Sequence, residues 1–533
     1  MKMWRQGLSL LVLVSVVLAS CALVWAADDQ EDNDDDQPTA EELQKQIAEL
    51  EKRLAEVEKK ASGKNDVLPL LPWDADRDAI TFSNGWSVSF HGEFRSRALV
   101  EANTINNYTN FAGDRVYAYH PKSTFSNDYG WWDQRFQFRT IFNFGNYADL
   151  IIRMQLGDIV WGSQAPVMGG RGDQKFDMEA LYFRELYTRM DIYPIPLYLV
   201  FGRMPVELGN RLIMGNEHDG AYTYYKHRYF EIAAGAVRQY EGENYEMKMK
   251  WNDDEDTFFV WANATPTPKQ KLSLFGWVND FKVTQYPNRV APNSPMWLLP
   301  AFTQEEYTGQ ESQMWNLGAN YVGDFGPVTI NAEYDQQFGT LFANEDVEGA
   351  EDLHWRGRAA LLKTDYRITN VDTVALTMGY GSGDDPDTVN YEGFFAPDND
   401  FGISEETMDE YIKRGYFSVY ENLSPGAGVP GGLFDGYGSG GVENTMFANL
   451  GLDLNFQANH HYYVSYGYIR ATEPNPVTDD AEIGWEMDAR VDYIFSPNVL
   501  FAIYGGHLFM TGDYFRKDAH DAAQVYFEWK LQW

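Results

Sequence analysis

The last nine residues, Val525-Tyr526-Phe527-Glu528-Trp529-Lys530-Leu531-Gln532-Trp533, alternate without a break. Val525, Phe527, Trp529, Leu531 and Trp533 fall on one face, and Tyr526, Glu528, Lys530 and Gln532 on the other. A period of two is a strand's, with one apolar and one polar face. The chain ends on an aromatic, as the closing strand of a barrel would, pairing with the first strand so that no open edge meets lipid. The edge strand of a soluble sheet would have the same local pattern, so the rest of the chain has to decide.

The same texture recurs upstream. From about residue 80, Trp86, Val88, Phe90 and Phe94 share a parity. Phe136, Phe138, Thr140, Phe142 and Phe144 alternate with Arg135, Gln137, Arg139 and Asn143. Ala148, Leu150, Ile152, Met154 and Leu156 alternate with Asp149, Arg153 and Gln155. Leu186, Thr188, Met190 and Ile192 alternate with Glu185, Tyr187, Arg189 and Asp191. Tyr245, Met247, Met249 and Trp251, then Val328, Ile330, Ala332 and Tyr334, then Ile483, Trp485, Met487, Ala489, Val491 and Tyr493 continue the series. Strands of this kind in sequence, each about nine to eleven residues, mark a transmembrane barrel. A soluble sandwich would turn its apolar face inward and its charges outward, the inverse arrangement.

Composition favours the membrane arrangement. The 533 residues include 34 Tyr, 33 Phe and 16 Trp, the material of interfacial girdles. Mean hydropathy is −0.45, and after residue 26 no run is long and apolar enough for a membrane helix. Formal net charge is −37, which argues against a nucleic-acid partner. Cys21 is the only cysteine, so there is no disulfide framework and no cysteine-based metal site.

The N-terminal part divides by composition. Residues 1–26 read as a secretory signal peptide, with Lys2 and Arg5 ahead of an apolar stretch from Leu8 to Leu18 and a Val24-Trp25-Ala26 site. Leu18-Ala19-Ser20-Cys21 also fits a lipoprotein processing site, the alternative to cleavage after Ala26 or Ala27; either implies export. Residues 27–42 are a self-repelling, disordered acidic spacer. Leu43, Ile47, Leu50, Leu54 and Val57 then follow the 4-3-4-3 spacing of a coiled coil. Residues 43–64 thus read as a short periplasmic helix and linker. Residues 43–60 would either join a homotrimer or form a monomeric charged helix. The expected architecture is all-β: a transmembrane antiparallel barrel over 80–533 with about 18 strands (16 is the other count), carrying a short α-helical coiled-coil extension.

Connections come in two sizes. Gly145-Asn146-Tyr147 and Ser496-Pro497-Asn498 are short; 100–130, 157–178, 264–310 and 381–443 are long. Short periplasmic turns opposite long external loops fit a bacterial barrel.

Three stretches carry more than periodicity. They are Phe201-Gly202-Arg203 with Leu208-Gly209-Asn210-Arg211-Leu212 and Asp219-Gly220; Gly379-Tyr380-Gly381-Ser382-Gly383-Asp384-Asp385 with Phe394-Phe395-Ala396-Pro397; and Ile483-Gly484-Trp485-Glu486-Met487-Asp488, continuing to Gly512-Asp513-Tyr514-Phe515. These resemble the alginate-export family of outer-membrane porins, patchily over 200–300 and best over 370–533. The resemblance implies an 18-stranded barrel in a Gram-negative outer membrane that passes an anionic polysaccharide without an energy source. An arginine track would offer carboxylates an exchangeable path.

By parity or motif the lumen residues would be Arg135, Arg139, Arg153, Arg189, Arg203, Arg211, Glu486, Asp488 and Arg490. Each arginine has a second reading, as the structural partner of an acid such as Asp149 or Asp191. The chain departs from a dedicated alginate exporter in its acidity, since a negative mouth would repel polyanions. Its acidic tail and heptad look more like the N-terminal coiled coils of some trimeric, anion-selective porins. The expected function is therefore a passive channel for a hydrophilic, anionic or polyhydroxylated solute. The alternatives are a general small-anion trimeric porin and a non-conducting barrel that anchors or sheathes a partner protein.

Enzyme chemistry has no foothold. The histidines show no metal-site spacing, and no Ser–His pair is placed for a lipid-facing hydrolase. No cofactor is expected. Asp384, Asp385 and Asp387 could offer oxygens to Ca²⁺, but without an ordered calcium-loop spacing, so a solvated loop is the competing reading.

Overall fold

The structure is a computed structural model that describes residues 80–102, 128–161, 181–240, 255–282, 311–343, 351–394, 442–475, 478–514 and 521–533, apart from isolated positions within those ranges. The expected signal, spacer and heptad, the alternation at 245–251, and Asp387 lie outside the described residues.

In chain order the strands are β1 (Ile80–Thr81), β2 (Ser87–Ala102), β3 (Asp128–Asn143), β4 (Ala148–Trp161), β5 (Leu181–Asp191), β6 (Leu197–Pro205), β7 (Glu217–Lys226), β8 (Phe230–Tyr240), β9 (Glu255–Thr267), β10 (Gln270–Lys282), β11 (Glu311–Asp324), β12 (Val328–Leu341), β13 (Leu353–Trp355), β14 (Arg358–Arg367), β15 (Thr373–Gly381), β16 (Asn390–Tyr391), β17 (Thr445–Gln457), β18 (His460–Asn475), β19 (Asp480–Ser496), β20 (Val499–Met510) and β21 (Ala522–Gln532). β1, β13 and β16 are two- or three-residue accessories. The other eighteen strands pair antiparallel with their sequence neighbours, and β2 pairs with β21 from Glu93↔Gln532 to Ala102↔Ala523. The sheet is therefore closed.

Burial settles which face is inside. On β21, Phe527 is 50% exposed and Trp529 37%, while Glu528 and Lys530 are 3% and 2%. The same inversion runs through β19, where Met487 is exposed and Glu486, Asp488, Arg490 and Asp492 are buried. Charges line the interior and apolar side chains coat the outside. That suits a lipid surround and is the reverse of a soluble sandwich. The protein is an outer-membrane-type β-barrel. Among the described residues no helix is long and apolar enough to cross a membrane, and the strands do the crossing.

The eight connections at the end where the barrel begins and closes are all short: 144–147, 192–196, 227–229, 268–269, 325–327, 368–372, 458–459 and 497–498. Those at the other end are longer, apart from the four-residue 476–479 between β18 and β19. The stretch 264–310, expected as one long connection, instead contains the end of β9, a two-residue turn and all of β10. Leu272 and Leu274 alternate there with Ser273 and Phe275, so both faces carry apolar residues and a simple polar–apolar count misses the strand.

The closure is locked at its last residue. Trp533 N–H donates to the Gly92 carbonyl at 3.1 Å, and Gly92 N–H donates to the Trp533 carbonyl at 2.9 Å. A Cβ at Gly92 would lie 2.2 Å from the Trp533 ring, so glycine is what allows the indole to lie flat across β2. The ring also meets Phe136 at 5.6 Å, and the neighbouring Trp529 meets Phe94 at 5.5 Å. Gly92→Val is expected to expel the indole and destabilise the barrel by about 1–3 kcal/mol. The readout is a lower urea midpoint for conversion from the compact, heat-modifiable gel band; an unchanged midpoint would remove Trp533 from the closure.

Candidate functional site: the charged lumen and its folded-in connection

The inner wall is electrically divided. Lys530 (β21), Arg95 (β2) and Arg135 (β3) stand in direct cross-strand register. Glu93 serves this row: Arg135 donates to it at 2.9 Å, Lys530 lies 3.6 Å away, and Gln532 Nε2 donates at 3.1 Å. Nearer the short turns, Arg139 and Arg153 are again in register, with Glu185 3.1 Å from one and 3.0 Å from the other. Arg153 also pairs with Glu217, and Arg189 with Asp149. Strands β21, β2, β3, β4 and β5 thus carry Arg95, Arg97, Arg135, Arg139, Arg153, Arg184, Arg189 and Lys530 inward.

Arg184 is the member that strict alternation misses. β4 and β5 shift register between Arg153 and Met154, opposite Glu185 and Phe183. Arg184 is the extra residue of this bulge, which re-aims it inward. There it grips Glu217 through both carboxylate oxygens, at 2.9 Å each. A bidentate guanidinium–carboxylate pair is among the stronger and more directional ion contacts.

The adjoining wall, on the far side of β20, is acidic. On β17–β19, Asp453, Glu486, Asp488 and Asp492 face in, with Arg490 and His461 among them. Arg490 Nε donates to Asp492 at 2.7 Å, and its guanidinium lies 5.0 Å from the Tyr504 ring centre. His461 is 1% exposed and sits between Asp453 and Asp492. On β12, Glu333 and Asp335 add two more buried acids.

The connection 206–216 narrows this interior. Leu208, Leu212, Ile213 and Met214 are buried together with Val200, Met204, Val237, Phe259, Phe275, Trp277 and Met314, which face inward from β6–β11. The connection lies along that apolar strip, passes over β8–β11 and docks on β12. The Asn210 N–H and Nδ2 donate to Glu333 Oε2 at 2.6 and 2.9 Å; Asn210 and Asn331 exchange bonds at 3.1 and 2.6 Å. Gly209 has φ +58°, and a Cβ there would be 2.3 Å from the Glu333 carboxylate. The Gly-Asn pair that stood out as a motif is therefore the tip of a strap that only glycine lets approach the wall so closely.

Against this geometry the expected site residues separate. Arg135, Arg139, Arg153, Arg189, Glu486, Asp488 and Arg490 point inward. Arg211 belongs to the folded-in connection, has φ 67°, and pairs with Glu207 at 3.0 Å. Arg203, expected in the lumen, shares the face of exposed Phe201 and meets Asp219 at 3.3 Å on the outside of the barrel. Gly202, a residue of intermediate exposure, takes the inward position opposite Tyr187, so a motif reading by residue type chose the wrong parity. Ile483, expected among the lipid-facing residues, is 1% exposed, because the β18–β19 register shifts beside Gly484 and turns it inward.

Among the described residues no group of acids or histidines is arranged to hold a metal ion. Asp384 instead accepts the Glu392 N–H at 3.0 Å. Burial, with Glu392, Asp385 and Glu473 nearby, pushes its carboxyl up to about 7. The raised value means that the neutral acid stabilises this connection at low pH and that the contribution is lost as pH rises through about 7. Phe394 N–H, bonded to the Ser382 carbonyl at 2.8 Å, is expected to exchange faster above pH 7 after correction for its intrinsic rate. Asp384→Asn should flatten that dependence; a pH dependence that survives the substitution would assign it elsewhere.

No family model matches the chain, and no curated protein does. Solved barrels do. OccK3 (OpdO) of Pseudomonas aeruginosa is 12% identical, with 84% of this chain and 96% of that one covered and a TM-score of 0.45. A BenF-like porin from Pseudomonas fluorescens Pf-5 is 11% identical, covering 84% and 99%, with a TM-score of 0.47. OccK2 (OpdF) of Pseudomonas aeruginosa, solved in complex with glucuronate, is 13% identical, covering 84% and 96%, with a TM-score of 0.44.

Proposed function

We propose that this barrel is a passive outer-membrane channel for a hydrophilic solute that carries carboxylate and hydroxyl groups, in the manner of the alginate-export porins that its motifs resemble. The observation behind this reading is the in-register inner row Lys530–Arg95–Arg135, continued by Arg139 and Arg153. Guanidinium groups shared with Glu93 and Glu185 are held in place yet can exchange partners. A passing carboxylate can take one N–H fork while the resident acid keeps the other, so each step is favourable without being a trap. The acidic wall of β17–β19 adjoins this row, with β20 between β19 and β21, and offers acceptors to hydroxyl protons. The strap 206–216, seated along β6–β12, narrows the lumen that both walls line.

Reversal potentials in planar bilayers test the reading. The wild type is expected to prefer anions, and Arg135→Gln with Arg139→Gln to lose that preference. Cation preference in the wild type, or a barrel that does not conduct, would overturn it.

A further inference from the structure

Much of the inner wall is charged, but one strip of it is aromatic. Tyr198 (β6) shares the face of buried Val200, and Trp261 (β9) that of buried Phe259. Tyr222 and Tyr224 (β7) alternate with exposed Ala221 and Thr223. All four rings therefore point into the barrel, and they form one run of contacts. Tyr198 stacks on Tyr224 at 4.6 Å, Tyr224 lies 6.0 Å from Tyr222, and Tyr222 lies 5.3 Å from Trp261. Trp261 stacks in turn on Phe259 at 5.5 Å.

The contact between Tyr222 and Trp261 spans a whole strand. β8 separates β7 from β9, so upright side chains on those two strands would stand about 9–10 Å apart. The rings meet because β8 places only Gly235 opposite Tyr222 and Ala233 opposite Trp261. A side chain at position 235 would collide with Tyr222. Both rings lean over β8, each covering the wall with one face and turning the other to the lumen. The strap does not bury them. Phe259, in the row beneath the strap, is 0% exposed, whereas Tyr198, Tyr222, Tyr224 and Trp261 are half-buried.

Apolar surface left open inside a polar passage marks a place where a solute is held. The rim of the strip is polar. Among the described residues the hydroxyls of Tyr198, Tyr222 and Tyr224 have no hydrogen-bond partner. Glu231 accepts the Trp261 Nε1–H at 3.2 Å, and the Arg189 guanidinium lies 5.9 Å from the Tyr198 ring centre.

We propose that this strip is a sugar-binding subsite, in which a pyranose ring lies against Tyr222 and Trp261 and bonds the tyrosine hydroxyls and Glu231 through its own hydroxyls. It rests on the reading of the barrel as a channel for a hydroxyl-bearing solute, and it adds the shape of that solute. A pyranose with equatorial hydroxyls has axial C–H bonds on both faces and a rim of donors and acceptors, which matches leaning rings bordered by hydroxyls. A flat aromatic acid would leave the tyrosine hydroxyls unused, and an open-chain polyol would leave the ring faces unused. The subsite recognises the ring whether or not it carries a charge, unlike the Lys530–Arg95–Arg135 row.

Isothermal titration calorimetry of the full chain in detergent tests this with cellotetraose, a neutral chain of such rings. The wild type is expected to bind cellotetraose and not sorbitol, an open-chain polyol. Tyr222→Ala with Trp261→Ala removes two ring faces and is expected to weaken binding at least about fivefold. Tyr198→Phe with Tyr224→Phe keeps the rings, removes two hydroxyls and is expected to weaken it as well, so the test does not depend on the alanine variant folding. Arg135→Gln with Arg139→Gln is expected to leave the affinity unchanged. A wild type that prefers anions yet binds no cellotetraose would overturn the subsite and leave the channel reading standing. Equal binding of sorbitol, or binding undiminished in the aromatic variants, would also overturn it. Cation preference together with binding lost in the Tyr222 and Trp261 variant would support the subsite and overturn the anion-channel reading alone.

Discussion

Deletion of residues 207–213 is expected to raise single-channel conductance by at least about twofold, since pore resistance is set at the narrowest segment. It should also weaken discrimination between anions of different size. The strap is built to stay in place. Leu208, Leu212, Ile213 and Met214 are buried against the apolar strip of β6–β11, and each large side chain so covered contributes about 1.5–3 kcal/mol. The tip adds the Asn210 bonds to Glu333 and Asn331. Removing the strap exposes Phe259, Phe275 and Trp277 to the lumen but touches no barrel ladder, so the wall should remain closed. The milder Asn210→Ala removes only the docking bonds. It is expected to leave the mean conductance near the wild-type value and to add flickering, as the tip leaves and returns. If the deletion left conductance unchanged, the constriction would have to lie elsewhere.

The strap also shows where residue-level reading works in this chain and where it stops. β21 was legible because each step changed from apolar to polar, and the polar set contained Glu528 and Lys530, which are costly on a lipid face. The same reasoning placed Arg135, Arg139, Arg153, Arg189 and Arg490 on the inner face. It failed wherever the inner face is itself apolar. Val237, Phe259, Phe275 and Trp277 face inward because the strap covers them, and nothing in β8–β10 announces that a distant connection will lie there. It failed again at bulges. One extra residue opposite Arg153 moves Arg184 inward, and the shift beside Gly484 moves Ile483 inward, against the two-residue count that is correct a few positions away. Arg203 shows a third limit, since a cation on a barrel strand reads as lumenal until its outward partner Asp219 is seen.

Neutralising Glu93 is expected to destabilise the barrel more than any other single polar substitution on its inner wall. Glu93 is 3% exposed and stands on the closing seam, beside a row in which Lys530, Arg95 and Arg135 are immediate neighbours. It bonds Arg135 and Gln532 and lies 3.6 Å from Lys530. Glu93→Gln keeps the shape and removes the charge, so the two cations it bridged lose their shared counter-ion in a buried setting. Breaking a buried ion pair from one side costs about 3–5 kcal/mol, because the surviving charge is left uncompensated. The cost should appear at the β2–β21 seam, as a lower urea midpoint and as slower formation of the compact band on refolding into detergent. Removing a cation as well separates this from a general effect of the substitution. In Glu93→Gln with Lys530→Gln the row loses one positive charge, and at least half of the lost stability should return. Equal midpoints for Glu93→Gln and the wild type would show that the cation row is balanced without Glu93. A double variant no more stable than the single would show that Lys530 is not the charge it balances.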